Sequence, residues 1–171
     1  MQYIKIPEER VGVLVGKEGF EKREIEKRTK TKIIVNKGEV SVEGDPFDEW
    51  VAKDVVKAIG RGFAPEKAIK LLNEGYALET LLLRDFANTE KSLQRKKGRV
   101  IGERGKTRKN IEEMTNTYVS IYGKTISIIG TYEDVALAKE AIIKLLEGSS
   151  HTSAYKFMER SVASLKGIPK I

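Results

Sequence analysis

Gly98-Arg99-Val100-Ile101-Gly102-Glu103-Arg104-Gly105-Lys106-Thr107-Arg108-Lys109 places an apolar pair, Val100-Ile101, directly before a Gly-x-x-Gly turn that runs into a helix opening on cations. Two glycines three apart let the backbone turn tightly with its N–H groups exposed, and no Cβ keeps an anion from approaching them. The helix that follows adds its positive N-terminal end and the side chains of Lys106, Arg108 and Lys109. The stretch predicts a seat for something polyanionic.

Charge supports that placement. From Lys91 to Lys109 there are nine Lys or Arg and one acid, Glu103. The chain's net charge is +7, so this segment (+8) accounts for the whole excess, and elsewhere 23 bases meet 24 acids. A basic patch confined to one short stretch is the electrostatic footprint of a nucleic-acid binder. A charge run alone reads as a solvated surface; the glycine turn inside this one points to a ligand.

The same turn occurs twice. Val15-Gly16-Lys17-Glu18-Gly19 lies 86 residues before Ile101-Gly102-Glu103-Arg104-Gly105. At that offset, without a gap, Val15–Gly44 aligns on Ile101–Gly130 with eight identities in thirty positions: Gly16/Gly102, Gly19/Gly105, Ile25/Ile111, Glu26/Glu112, Thr29/Thr115, Thr31/Thr117, Ser41/Ser127 and Gly44/Gly130. Apolar character also matches at Ile33/Val119, Val35/Ile121, Val40/Ile126 and Val42/Ile128. A period this long means two tandem domains.

Each copy predicts a helix after the turn, a β-branched strand (Thr31–Val35, Thr117–Ile121), a tight turn, and a second strand (Glu39–Glu43, Thr125–Ile129). A helix closes each unit. Asp45-Pro46 starts Phe47–Ile59, with Trp50, Val51, Val55 and Ile59 assigned to one face. Thr131 starts the other, with Val135, Leu137, Ala138, Ala141, Ile142, Leu145 and Leu146 on its apolar side. Met1–Ile6 reads as an edge strand, and Pro65–Leu72 as a short helix outside the repeat. Ala77–Arg84 is ambiguous between helix and strand and is assigned as the first strand of the second copy. Asn88 or Thr89 caps a helix running to about Val100. Ala154–Leu165 reads as a helix whose Tyr155, Met158, Val162 and Leu165 stripe docks on protein, followed by a loose end at Ile168–Ile171.

The order strand–helix–GxxG–helix–strand–strand–helix resembles a type I KH domain. The likeness is carried by Val11-Gly12-x-Leu14-Val15-Gly16-x-x-Gly19 in the first copy. In the second it is carried by Arg99-Val100-Ile101-Gly102-x-x-Gly105-Lys106-Thr107, then Ile111-Glu112-x-x-Thr115 and Val119-x-Ile121. It implies an α+β chain of two tandem type I KH domains, each a three-stranded sheet packed on three helices, with a C-terminal helical tail. Residues 1–74 form the first domain with its extra helix, 75–150 the second, and 151–171 the tail.

KH domains clamp the backbone of about four single-stranded nucleotides with the GxxG loop. The second clamp is then Gly102, Glu103, Arg104 and Gly105, supported by Arg99, Lys106, Arg108 and Lys109. Val100, Ile101 and the Tyr118–Ile121 strand form its groove floor, and Tyr118 and Tyr122 are placed to stack on a base or to pack. The first is Gly16, Lys17, Glu18 and Gly19 with Lys22, Arg23 and Lys32–Val35. Its local charge cancels, which predicts weaker binding.

A closer resemblance spans nearly the whole chain. Lys97–Gly102, Gly105–Arg108, Ile121–Thr125, Ile128-Ile129-Gly130, Arg61-Gly62-Phe63 and the tail His151…Tyr155-Lys156-Phe157…Glu159-Arg160 are similar to the archaeal KH-repeat ribosome-assembly factors, relatives of the eukaryotic Pno/Dim pre-rRNA processing proteins. That likeness implies binding of single-stranded small-subunit ribosomal RNA near its 3′ end, and partnership with the PIN-domain nuclease that matures that end. Eukaryotic members are described as lacking a working first GxxG, but Gly16 and Gly19 are both present in this chain.

Other chemistries fit poorly. Gly105-Lys106-Thr107 copies the end of a nucleotide-hydrolase phosphate loop, but that loop needs a glycine where Val100 stands. The single histidine, His151, has no companion ligand or nucleophile signal nearby, and there is no cysteine, which excludes disulfides and zinc ribbons. The reading is a binding protein and not an enzyme, with no cofactor, no metal and no small-molecule substrate. No apolar run is long enough to span a bilayer, and the N-terminus has no signal-peptide pattern, so no membrane partner is expected and a cytoplasmic setting is. The alternative reading is a protein-interaction scaffold in which one KH module docks a partner through its GxxG face.

Overall fold

The structure is a computed structural model that describes residues 1–165 and 167. The loose end expected at Ile168–Ile171 lies outside the described residues. The chain divides into two compact units, Met1–Leu78 and Glu79–Ile171. The helix set apart from sequence as a tail therefore falls within the second unit.

In the first unit, β1 (Gln2–Lys5), α1 (Glu8–Val15), α2 (Phe20–Thr29), β2 (Lys32–Asn36), β3 (Glu39–Glu43) and α3 (Pro46–Gly60) follow in order, with the short α4 (Pro65–Ala68) packed on α3. The three strands form an antiparallel sheet ordered β1-β3-β2. Its inner face brings Ile33, Val40 and Val42 to the core, where Leu14, Ile25, Val55 and Ile59 meet them. Side chains alternate across a strand, so the outer face carries Tyr3 and Ile34, both opposite Ser41.

Sequence reading put Trp50 on the buried face of α3, and the structure corrects this: Trp50 is 69% and Phe47 78% exposed. At about 100° per residue, Trp50 lies roughly opposite Ala52, and the inward stripe is Glu49, Ala52, Val55, Val56 and Ile59. Glu49 is tolerated inside because its carboxylate pairs with the Met1 amino group at 2.9 Å and accepts the Gly44 N–H at 3.1 Å. The amino group is the main reason its pKa is lowered.

The order then repeats with β4 (Tyr76–Leu82), which spans the division after Leu78, α5 (Glu90–Ile101), α6 (Lys106–Thr115), β5 (Tyr118–Tyr122), β6 (Thr125–Thr131) and α7 (Tyr132–Leu146), and α8 (His151–Leu165) is added. The ambiguous segment is a strand, in a sheet ordered β4-β6-β5. Thr89 caps α5, its hydroxyl accepting the Ser92 N–H at 3.1 Å, and Thr131 caps α7 in the same way. The core is Leu81, Leu83, Leu93, Ile111, Ile126, Ile128 and the inward stripe of α7. Onto it α8 adds Ala154 and Met158, both fully buried, while Leu165 stays 56% exposed.

The repeated identities have structural causes. In each unit a glutamate on the helix after the turn accepts a strand N–H: Glu26 from Ile33 and Glu112 from Val119, both at 3.0 Å. Thr29 and Thr115 donate to the carbonyls of Ile25 and Ile111 at 2.6 Å and share hydroxyl hydrogen bonds with Thr31 and Thr117. Gly44 and Gly130 leave the room those threonine methyls occupy, since a Cβ at either would lie 2.9 Å from one.

Candidate nucleic-acid interface

The two turns have the same backbone. Gly102 (φ 75°, ψ 172°), Arg104 (φ 54°) and Gly105 (φ 75°) reproduce Gly16 (φ 74°, ψ 179°), Glu18 (φ 54°) and Gly19 (φ 78°). Only glycine readily adopts the first of these conformations. Gly102 is also needed for space, because a Cβ there would lie 2.1 Å from Thr107 Oγ1. At Gly16 the same atom would meet the Glu21 side chain at 2.5 Å.

The turn does not present all of its N–H groups, as its sequence suggested. Gly102 N–H donates to Gly98 O at 2.8 Å, Gly105 N–H to Gly102 O at 3.2 Å, and Lys106 N–H to Glu103 O. The outward part is the tip pair, Glu103-Arg104, with Lys106 and Lys109 exposed beside it. Among the described residues, Arg104, Lys106 and Lys109 have no ion-pair or hydrogen-bond partner on their side chains.

Several cations assigned to the site from sequence are engaged within the protein. Arg99 donates to the carbonyl of Ser149 and its backbone carbonyl meets His151 Nε2 at 2.9 Å, so it ties α5 to the start of α8. Arg108 pairs with Glu112 at 2.7 Å. In the first unit Lys22 binds Glu26 at 3.2 Å and the carbonyl of Ile33, and Arg23 closes its own turn by donating to Glu18 O at 2.7 Å. The first tip thus leaves Lys17 beside Glu18, with Phe20, 56% exposed, where the second turn has Lys106. Val100, read from sequence as groove floor, is fully buried, because one helical step turns it from half-buried Ile101 into the core. Tyr118 is half-buried on β5 opposite Ile129.

Behind the second turn stands α8. Tyr155 Oη accepts from Asn110 Nδ2 at 3.2 Å and lies 3.5 Å from Thr107 Oγ1, while His151 holds Arg99. One helix therefore braces both stems of the turn.

Sequence reasoning quotes Gly98 and its counterpart 86 residues earlier, Gly12, but gives neither a role in the site. Both lie inside helices with ordinary φ, both are exposed, and a Cβ at either would meet nothing within 4 Å. A mid-helix glycine weakens the helix relative to alanine by about 0.5–1 kcal/mol. No packing inside the protein explains that choice at either position. The signal that would have found them is a glycine on the exposed face of each helix, one turn before the GxxG, at the repeat offset.

The chain belongs to the type I KH-domain family: the eukaryotic-type KH-domain (type I) profile matches residues 8–75 and 77–163. Within it, the chain is a relative of the archaeal and eukaryotic Dim2/Pno1 ribosome-assembly proteins. It is 46% identical over 172 residues to a KH domain-containing protein of Methanocaldococcus jannaschii, covering 97% of this chain and 76% of that one. Two crystal structures of Dim2p from Pyrococcus horikoshii are similar. One, Dim2p alone, is 50% identical at a TM-score of 0.88 and covers 93% of this chain and 98% of that chain. The other, a complex of a/eIF2alpha, Dim2p and rRNA, is 49% identical at 0.89 and covers 95% and 94%. The pre-rRNA-processing protein pno1 of Aspergillus fumigatus is 32% identical over 121 residues, and the match takes in 67% of this chain but 46% of that protein.

Proposed function

We propose that the protein binds single-stranded ribosomal RNA during small-subunit assembly, chiefly through the second GxxG turn. The observation that carries this reading is the set of three cations, Arg104, Lys106 and Lys109, that stand exposed and unpaired around a turn of KH geometry. Phosphates contact the Glu103-Arg104 tip and these side chains and fix the strand's position. The bases then lie along α5 toward the β5 edge and are read there. Gly98 is bare so that a base or sugar can lie directly on the helix. The rRNA complex of the Pyrococcus horikoshii relative supports RNA as the ligand. The finer assignment is to the 3′ region of small-subunit rRNA, with a PIN-domain nuclease as partner at its maturation; it rests on the family resemblance. The protein positions RNA and performs no chemistry on it.

The test is crosslinking in cell extract with the attachment sites mapped, beside titration of single-stranded oligonucleotides from the small-subunit rRNA 3′ end and from unrelated regions. Crosslinks at the 3′ end that involve α5 and α6 residues support the proposal, and equal affinity for every oligonucleotide overturns the assignment to that region. A second reading has one observation behind it. Phe20 stands exposed at the first turn beside a charge-cancelled tip, which suits a protein contact there while the second turn holds RNA.

A further inference from the structure

A groove of about 860 Å³ runs between α7 and α8 in the second unit, on a face separate from the GxxG turn. Its floor is apolar, with buried Leu137, half-buried Phe157 and exposed Leu165. Three cations line it, Lys144 from α7 with Lys156 and Arg160 from α8, against one acid, Glu140. Lys156 and Arg160 are four apart on one helix, so their like charges face each other. Among the described residues neither has an ion-pair partner. Small side chains at Ala136, Ser161 and Ser164 keep the walls low enough for a second backbone to approach.

We propose that this groove is a docking site for an acidic amphipathic helix of a partner protein. The partner's apolar ridge enters between Leu137, Phe157 and Leu165, and its carboxylates meet Lys144, Lys156 and Arg160. This is the helix-in-groove mode, in which apolar anchors recur at helical spacing. The charge balance selects an acidic occupant and excludes a basic one. RNA also carries negative charge, but single-strand grooves join their phosphate contacts to bases stacked on open aromatic faces. On the half-buried Phe157 ring the Lys144 ammonium already sits over one face, 4.8 Å from the centroid. A small apolar side chain can pack on what is left of this one half-buried ring, which offers a base a poorer platform than an open aromatic face.

The experiment uses the full chain and a fluorescein-labelled synthetic peptide with Leu at i, i+4 and i+7 and Glu at the flanking positions. Two comparison peptides carry Leu→Ser or Glu→Lys. The first peptide is expected to bind, and both comparison peptides to bind at least about tenfold more weakly. Lys156→Glu/Arg160→Glu should weaken the first peptide about as much and bind the Glu→Lys peptide instead. Leu165→Ser, at an exposed position, is a second variant that spares the core, and it should weaken the first peptide while leaving the melting temperature unchanged. Equal binding of the Leu→Ser peptide overturns the proposal, because charge alone then explains the attraction. A fall in single-stranded RNA affinity in the double variant, without loss of peptide binding, also overturns it and makes the groove part of an RNA track.

Discussion

Two glycines four residues apart do opposite work in the second unit, and substitution by alanine separates them. At Gly102 a side chain meets a backbone conformation that only glycine readily adopts and an atom 2.1 Å away. Gly102→Ala should therefore destabilise the unit by about 1–3 kcal/mol from the backbone alone, with the contact to Thr107 in addition. At Gly98 a side chain meets open space, so Gly98→Ala should stabilise α5 by about 0.5–1 kcal/mol and yet weaken RNA binding. Urea denaturation and RNA titration on the same protein check both signs, and unchanged affinity for Gly98→Ala removes that residue from the interface. A third residue makes a prediction about pH. Burial raises the pKa of Asp54 above its usual 3.8, against the attraction of Lys57 and Lys53. The folded state then holds the proton more tightly than the unfolded one, so stability falls as pH rises from 3.8 through the folded value. At neutral pH the whole penalty is present, and Asp54→Asn should raise the melting temperature there. The gain should shrink as the pH is lowered toward 3.8; a constant gain at every pH would show that ionisation is not its source.

At the level of elements, a carboxylate ties the helix after each turn to its sheet. Glu112 accepts the Val119 N–H at 3.0 Å and also meets Arg108 at 2.7 Å. Removing it leaves the N–H of buried Val119 unpaired, so Glu112→Ala should cost about 1–3 kcal/mol. Arg108→Ala, which removes only a partly exposed ion pair, should cost less than about 1 kcal/mol. Urea melts of both variants decide it, and a larger loss for Arg108→Ala would mean that the ion pair and not the strand contact holds the helix. The same clamp explains what sequence could and could not reveal. Glu26/Glu112, the threonine pairs and Gly44/Gly130 repeat because they build the scaffold, so the repeat made the element order and sheet partners legible. A repeated residue does not announce which neighbour it serves, and one-letter patterns hide angular detail. Trp50 was placed inside α3 by its chemistry, although its angular position puts it outside. The segment Ala77–Arg84 suits helix and strand alike and is assigned only by what the domain needs; the strand itself runs Tyr76–Leu82. The bracing of the second turn by α8 through His151 and Tyr155 joins residues about 50 positions apart and has no local signature.

Across the whole molecule, the charge excess visible in sequence is reduced by the protein's own contacts before any ligand arrives. Nine bases cluster from Lys91 to Lys109, yet Arg99, Arg108, Lys96 and Lys97 bond within the protein, the last two to the carbonyls of Phe86 and Gly123. Counting bases along the chain therefore overstates the number that can meet phosphate. Of the other five, Arg104, Lys106 and Lys109 stand around the second turn, and Lys91 and Arg95 lie exposed earlier on α5; Lys17 stands at the first turn. Binding to single strands releases about 0.7 counterions per phosphate neutralised, so three contacts predict a slope of about −2 for log affinity against log salt. All nine bases would give a slope of about −6. Glu103→Asp with Arg104→Asp sets two carboxylates at the second tip and removes one of the three cations. It should abolish most binding to single-stranded RNA and flatten the slope of what remains. Lys17→Asp with Glu18→Asp changes the first tip in the same way, but there the neighbouring Lys22 and Arg23 are already engaged. That variant should lose much less affinity and keep the slope of the unaltered protein. Both must retain their circular dichroism for the comparison to count, a real condition because Glu18 and Arg104 hold positive φ. Equal losses in the two variants would show that the units share the RNA, and an unaltered slope near −6 would show that the internal contacts of the basic stretch open when RNA binds.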